Sequence, residues 1–266
     1  MPTISLHLVS DVHLERFPQR AESGYVQTLL PSSWVGGTSP QIRCCVLAGD
    51  IGDPFEASYS SFLDEIKRHS DHVVLTSGNH EYYGHAVDRT DARIREVCGA
   101  RGVVFLQQTE AVVAGIRFVG ATLWTHVPDG VNADIARTHM RDYGVIRDWS
   151  VAANNAIHAS HASFLREALR SRTAPPTVIV THHPPSKRFI VDKWKDHKAA
   201  HCFSTPLDEL VLLPCVRHWM CGHTHAAKRE VFDKQSGGSA EGWINPVGYE
   251  GERTGFNAED EVWLYF

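Results

Sequence analysis

Asp11-Val12-His13, Gly49-Asp50-Ile51-Gly52-Asp53, Gly78-Asn79-His80-Glu81, Thr181-His182-His183-Pro184 and Gly222-His223-Thr224-His225 each close a short apolar run of this chain. This recurrence limits the fold more than any other feature. The runs at residues 4–9, 44–48, 73–76, 177–181 and 216–221, with a further one at 116–120, are rich in Val, Ile and Leu and have the length of buried strands. Between several of them the apolar spacing is helical. Residues 56–69 place Phe62, Leu63 and Ile66 on one face, 85–98 and 151–170 have similar spacing, and the last pattern stops at Ser171 before Pro175-Pro176. Strands alternating with helices predict an α/β fold.

The remaining strand-like pieces, at 103–106, 111–114, 229–232 and 262–266, read as antiparallel additions around that core. Residues 24–41 and 237–241 are rich in Gly and Ser and read as surface loops. No repeat and no long low-complexity tract divides the chain, so all 266 residues are expected to form one domain. Residues 122–149 are less regular and mix Trp124, His126, Asn132, His139, Arg141, Tyr143, Arg147 and Trp149, a composition expected of a loop beside an active site.

Bulk properties exclude several classes. The chain is 42% hydrophobic and 21% charged with a formal net charge of −5, and it has no basic stripe to attract a nucleic-acid backbone. Bound divalent cations would still reverse the local field and draw a phosphorylated substrate. No apolar run approaches the length of a membrane span, and the N-terminus reads directly as a strand, so a cytoplasmic protein is expected. Cys44, Cys45, Cys98, Cys202, Cys215 and Cys221 form no Cys-x-x-Cys pair and read as small buried hydrophobes. Cys221, two residues before His223, is the one cysteine near enough in sequence to approach a metal.

In an open α/β sheet ligands collect where strands end, and all five polar clusters stand there. On extended backbone residues i and i+2 share a face, which would let Asp11 and His13 reach one centre, and His223 and His225 likewise. A carboxylate can bridge two cations about 3.5–4 Å apart while imidazoles and an amide oxygen fill the outer positions. Asp50 is the natural bridge. A hydroxide between two such cations forms near neutral pH and is a nucleophile for in-line attack on phosphorus. His80 would then steady the phosphoryl oxygens or protonate the leaving oxygen.

These motifs, in this order, resemble the calcineurin-like metallophosphoesterase superfamily, whose pattern runs Asp-x-His, Gly-Asp-x-x-Asp, Gly-Asn-His-Glu/Asp, a strand-terminal His and Gly-His-x-His. The match spans positions 11 to 225. The resemblance implies a four-layer α-β-β-α sandwich of two packed mixed β-sheets flanked by helices. It implies one metal held by Asp11, His13, Asp50 and His225, a second held by Asp50, Asn79, His182 and His223, and His80 as the catalytic histidine. It extends to uncharacterised bacterial members through residues 120–125, 140–143 and 245–249. Those relatives commonly have an acidic residue where this chain has His126.

Within that family Asp53, Glu81 and His183 are expected to support the ligands rather than bind metal. Tyr82, Tyr83, Trp124, Arg141, Tyr143 and Arg147 are candidates to line the pocket, and Asn245 to close it. The expected activity is hydrolysis of a small phosphodiester or phosphomonoester, a nucleotide among the candidates, by a binuclear centre of manganese or of iron with manganese; zinc, cobalt or nickel also suit the ligands. Thr181–Pro185 is similar to the fourth motif of cyclic-nucleotide and glycerophosphodiester hydrolases, which tilts the expectation toward a diester. A protein phosphatase would carry Arg before Gly-Asn-His-Glu and Asp-Arg-Gly after the second motif, where this chain has Ser77 and Asp53-Pro54-Phe55. A non-catalytic scaffold would have lost ligands, and none is missing here.

Overall fold

A computed structural model describes residues 3–170 and 175–265; the expected helix end at Ser171 and the last strand position, Phe266, lie outside the described residues. The strands are β1 (Thr3–Val9), β2 (Ile42–Ala48), β3 (His72–Thr76), β4 (Val104–Phe105), β5 (Thr109–Val113), β6 (Ile116–Ala121), β7 (Thr177–Thr181), β8 (Val216–Cys221), β9 (Lys228–Asp233), β10 (Ser239–Ile244) and β11 (Val262–Tyr265). They form two mixed sheets, in the orders β11-β1-β2-β3-β4 and β5-β6-β7-β8-β10-β9. In the first, β1 to β4 are parallel and β11 is antiparallel. In the second, β6, β7, β8 and β10 are parallel, with β5 and β9 as antiparallel edges.

Alternation along the strands assigns each side chain to a layer. Ile4, Leu6 and Leu8 of β1, Val46 of β2, Val74 of β3, Val178 and Val180 of β7 and Met220 of β8 face inward and form the core between the sheets. On the outer face of the first sheet, Val9, Leu47 and Leu75 pack against Tyr59, Phe62, Leu63 and Ile66 of helix Ala57–His69 and Ile94 and Val97 of helix Val87–Gly99. On the outer face of the second, Val119, Ile179 and Trp219 meet Ala162 and Leu165 of helix Val151–Ala168. The result is the helix–sheet–sheet–helix sandwich expected. Parallel strands leave their C-terminal ends on one side of each sheet, so the ends of β1, β2, β3, β7 and β8 meet along one seam.

Four local expectations are corrected. Residues 103–106 contain β4, which pairs parallel to β3 rather than antiparallel. Residues 237–241 are not only loop: β10 begins at Ser239 and runs beside β8. Its Gly242 is required, because a Cβ there would collide with the Phe189 ring. Residues 24–41 include parts of helices Ser23–Thr28 and Ser32–Val35, which bury Val26 and Trp34 against the first sheet. The irregular 122–149 segment contains helices Val131–His139 and Asp142–Val145. No helix among the described residues is long and apolar enough to cross a membrane.

Candidate metal centre

The backbone at the strand ends is not extended. Asp11, His13, Asp50, His223 and His225 have φ of 56°, 57°, 53°, 73° and 48°. Left-handed backbone costs an L-residue roughly 1–2 kcal/mol, and Asp and His are among the side chains enriched there. The alternation argument for Asp11/His13 and His223/His225 is therefore wrong in mechanism, although the pairs do converge. Neighbouring backbone secures these turns. The Asp11 and His13 amides each donate at 3.0 Å to the carbonyls of Gly49 and Asp50. Buried Glu81 accepts from the backbone amides of Asp50 at 3.0 Å, Ile51 at 2.8 Å and Gly78 at 2.8 Å, so it holds the second and third motifs together as a support. At Gly49, φ is +82°, and a Cβ would stand 2.5 Å from the Gly78 nitrogen and 2.7 Å from His182 Nδ1.

Three groups offer ligand atoms within 4.8 Å of one another: Asp11, His13 and His225; His13, Asp50 and His80; and Asp50, His182 and His223. Asn79 joins the last, its Oδ1 lying 3.2 Å from His182 Nε2. All seven residues expected as ligands are thus brought to one place, with Asp50 shared between groups. Several imidazoles are held by one nitrogen and present the other to this centre, the arrangement that fixes a metal-binding histidine. His182 Nδ1 lies 2.9 Å from the Ala48 carbonyl, His225 Nδ1 2.6 Å from Glu252, and His13 Nδ1 3.1 Å from Glu15. The Nε2 atoms of His13 and His225 face each other at 3.0 Å, and buried His223 Nε2 has no hydrogen-bond partner among the described residues. Converging lone pairs and an orphaned buried nitrogen, among hard carboxylates, fit divalent cations.

Charge within the cluster is unevenly shared. Burial raises the Asp11 carboxyl, but the hydrogen bond and charge of His225 outweigh it and hold the pKa at about 2. Burial lowers His182, yet Asp50 and Asp11 outweigh it and carry the imidazole to about 10. Burial likewise opposes His225, which Asp11 and Glu252 raise to about 9. His223 and His13 are pushed down, chiefly by burial. A cation held by His182 or His225 would have to displace that imidazole's proton.

His80 stands at the edge of this cluster. Its Nδ1 lies 2.8 Å from Glu15 Oε1, while Nε2 is 3.8 Å from Asp50 Oδ2 and 3.3 Å from the Tyr249 hydroxyl. Burial lowers its pKa, but Asp50 and Glu15 outweigh that and raise it. Glu15, Asp142 and Glu252 are contacts that sequence reasoning missed. Buried Asp142 accepts from Asn79 Nδ2 at 2.9 Å and from the Tyr83 hydroxyl at 2.8 Å, which turns Asn79 Oδ1 toward His182. Its one sequence signal is the 140–143 segment of the resemblance, which contains Asp142.

Other expectations divide. Asp53 accepts from the Phe55 amide and pairs with His85, so it shapes the loop beyond Asp50 rather than joining the centre. His183 packs its ring 4.2 Å from that of His223 and lies 3.3 Å from the Thr122 carbonyl; burial pushes it down to about 3. Cys221 is buried in the outer core of the second sheet. Tyr82 and Trp124 are buried in packing, Arg147 and His126 are exposed, and His126 meets the His158 ring edge-on. Tyr83 and Arg141 do line the cleft. Asn245 donates to the Leu8 carbonyl at 2.9 Å and accepts from the Asn257 amide, tying the two sheets and carrying Tyr249 over His13.

The family model for calcineurin-like phosphoesterases matches residues 5–227, from the first strand through the last histidine pair. The chain belongs to this family. It is a metal-dependent phosphoric ester hydrolase. This phosphoesterase is 25% identical to an uncharacterised protein of Acanthamoeba polyphaga mimivirus, over 95% of the chain and 94% of that protein. In fold it is similar to the phosphopantetheinyl hydrolase of Mycobacterium tuberculosis, at a TM-score of 0.69 and 18% identity over 94% of each chain. A dimetal phosphatase from Danio rerio shares the fold at a TM-score of 0.55 and 16% identity, over 92% of this chain and 87% of the other.

Proposed function

We propose that this phosphoesterase hydrolyses a small phosphodiester or phosphomonoester at a binuclear centre, one cation on Asp11, His13, Asp50 and His225 and the other on Asp50, Asn79, His182 and His223. The observation that carries the reading is the placement of His80. Its Nδ1 is fixed by Glu15, and its Nε2 is left at the edge of both ligand groups, where a leaving oxygen or a phosphoryl oxygen would sit. When bound, the cations, manganese or iron with manganese, supply Lewis acidity and an acidified water. The residues do the rest: Asp50 aligns His80 by accepting its backbone amide at 2.8 Å, Glu15 holds the ring's orientation, and Tyr249 covers Nε2.

The scaffold alternative has no support from lost ligands. A cleft of about 280 Å³ beside His80 suits a small substrate. We take residues 1–266 as one phosphoesterase domain with 122–149 as its active-site loop region, and the six buried, unpaired cysteines support a reducing, cytoplasmic setting. The test is hydrolysis of bis(p-nitrophenyl) phosphate and p-nitrophenyl phosphate by protein reconstituted with manganese after chelation. Turnover of either supports the reading, preference for the first supports a diesterase, and no turnover of either rejects it.

Asp142 provides a separate check on Asn79. Asp142→Leu leaves the Asn79 amide and the Tyr83 hydroxyl without their acceptor, and the affinity for one of the two cations falls about 10–100-fold. Asp142→Asn keeps an acceptor oxygen and loses less. Calorimetric titration with manganese reads both; equal affinities in all three proteins would remove Asp142 from the support of the site.

A further inference from the structure

Two compartments open at His80, and they differ in character. The cleft of about 280 Å³ has Met140, Ile190, Val191, Trp194 and Phe203 in its wall, the Phe203 ring 5.7 Å from that of His223. A second space of about 290 Å³ is lined by Glu15, Arg16, His80, Tyr83, Arg141 and Tyr249. His80, Tyr83, Arg141 and Tyr249 border both, so the compartments meet where His80 presents Nε2.

The arginines of the second space are held by the site itself. Arg16 Cζ lies 4.7 Å from the centre of the Tyr249 ring, which is 4.4 Å from the His13 ring. Arg141 Cζ lies 5.9 Å from the centre of the Tyr83 ring, which is 4.2 Å from the His80 ring. Each guanidinium thus stacks on a tyrosine that stacks on a site histidine, a cation–π contact that positions charge without neutralising it. Both arginines are exposed, and among the described residues neither forms an ion pair with a carboxylate. Glu15 shares the space, but its Oε1 is engaged by His13 and His80. In a chain of net charge −5, two guanidiniums and the single carboxylate of Glu15 lining one space beside the reacting position give a local excess of positive charge.

We propose that the substrate is a phosphodiester with unlike arms: an apolar or aromatic group lying against Ile190, Val191, Trp194 and Phe203, and a second anionic group, such as a phosphate, received by Arg16 and Arg141. The inference rests on the phosphoesterase reading above. A simple monoester fills one compartment and leaves the other empty. A phosphate on the far arm matches the planar donor fork of a guanidinium, which a point charge on lysine would not.

The test compares two chromogenic esters that differ by one phosphate, thymidine 5′-(p-nitrophenyl phosphate) and thymidine 3′-phosphate 5′-(p-nitrophenyl phosphate). In both, water's oxygen bonds to phosphorus, the P–O bond to the aryl group breaks, and its electron pair leaves with p-nitrophenolate. The 3′-phosphorylated ester should show a kcat/KM about tenfold or more higher, carried mostly by KM, the ratio expected for one charge-assisted contact. Added salt should shrink that ratio. In the double variant Arg16→Gln, Arg141→Gln the ratio should approach one.

A ratio of one in the wild-type protein that does hydrolyse the plain ester overturns this inference and leaves the phosphoesterase reading standing. A high ratio that survives the double variant overturns the assignment to these arginines. Hydrolysis of p-nitrophenyl phosphate alone overturns this inference only, and no hydrolysis of either ester, of bis(p-nitrophenyl) phosphate or of p-nitrophenyl phosphate overturns both readings together.

Discussion

Replacing His80 by alanine lowers kcat/KM by about a hundredfold or more while the protein keeps its metal, because general acid–base groups contribute on that scale. The ring makes no hydrogen bond that a ligand residue needs: Asp50 accepts from the His80 backbone amide, which alanine retains. Metal analysis and steady-state kinetics on the same preparation check both halves. The leaving group separates the roles open to this histidine. If His80 protonates the departing oxygen, an alkyl ester loses more than a p-nitrophenyl ester, whose phenolate leaves without help. Equal losses assign it to steadying the phosphoryl oxygens. An unchanged rate on both esters removes it from the chemistry.

Asp50→Asn has a larger effect, since it strikes both proposed metal positions at once. Asp50 Oδ1 lies 3.4 Å from His182 Nε2 and Oδ2 lies 3.8 Å from His80 Nε2, so the carboxylate stands between the two ligand groups. Its conformation is strained, at φ 53°, and asparagine tolerates that backbone as well as aspartate does. The fold should survive the exchange. An amide cannot bridge two cations as a carboxylate does, so metal content falls below two per chain and turnover falls by about a thousandfold or more, several kcal/mol of transition-state stabilisation. Elemental analysis showing two cations per chain, with turnover near wild type, would dismiss Asp50 as the shared ligand.

Much of this arrangement could be read before any coordinates. Asp11, His13, Asp50, Asn79 and His182 stand where polar side chains are costly, at the buried ends of apolar strands, and such placements need a reason. The strands themselves were legible because β-branched runs bounded by glycine leave few alternatives. β10 was not, since Ser239-Ala240-Glu241-Gly242 has a loop's composition and becomes a strand only through pairing with β8 and β9. Trp34 reads as loop because its partners, His7 and Glu261, are remote in sequence.

The supporting carboxylates were hidden for a different reason. Glu15 reaches His80 across 65 positions, Asp142 reaches Asn79 across 63, and Glu252 reaches His225 across 27. Carboxylates are common on any surface, and nothing local marks the few that turn inward. The left-handed backbone at Asp11, His13, Asp50, His223 and His225 was also beyond a reading by alternation, because it is imposed by contacts between strand ends rather than by the strands.

The division of the centre between the sheets has a mechanical consequence. Asp11, His13, Asp50 and Asn79 follow strands of the first sheet, whereas His182, His223 and His225 follow strands of the second. Cations held by both sets, as proposed above, would act as rivets through the sandwich. Their affinity would then add to the cohesion between two halves that also adhere through aliphatic packing, the Asn245 tie and hydrogen bonds such as the Val247 amide to the Ser10 carbonyl. Without such rivets the layers would keep their packing but lack a clamp at one rim, where the left-handed turns stand.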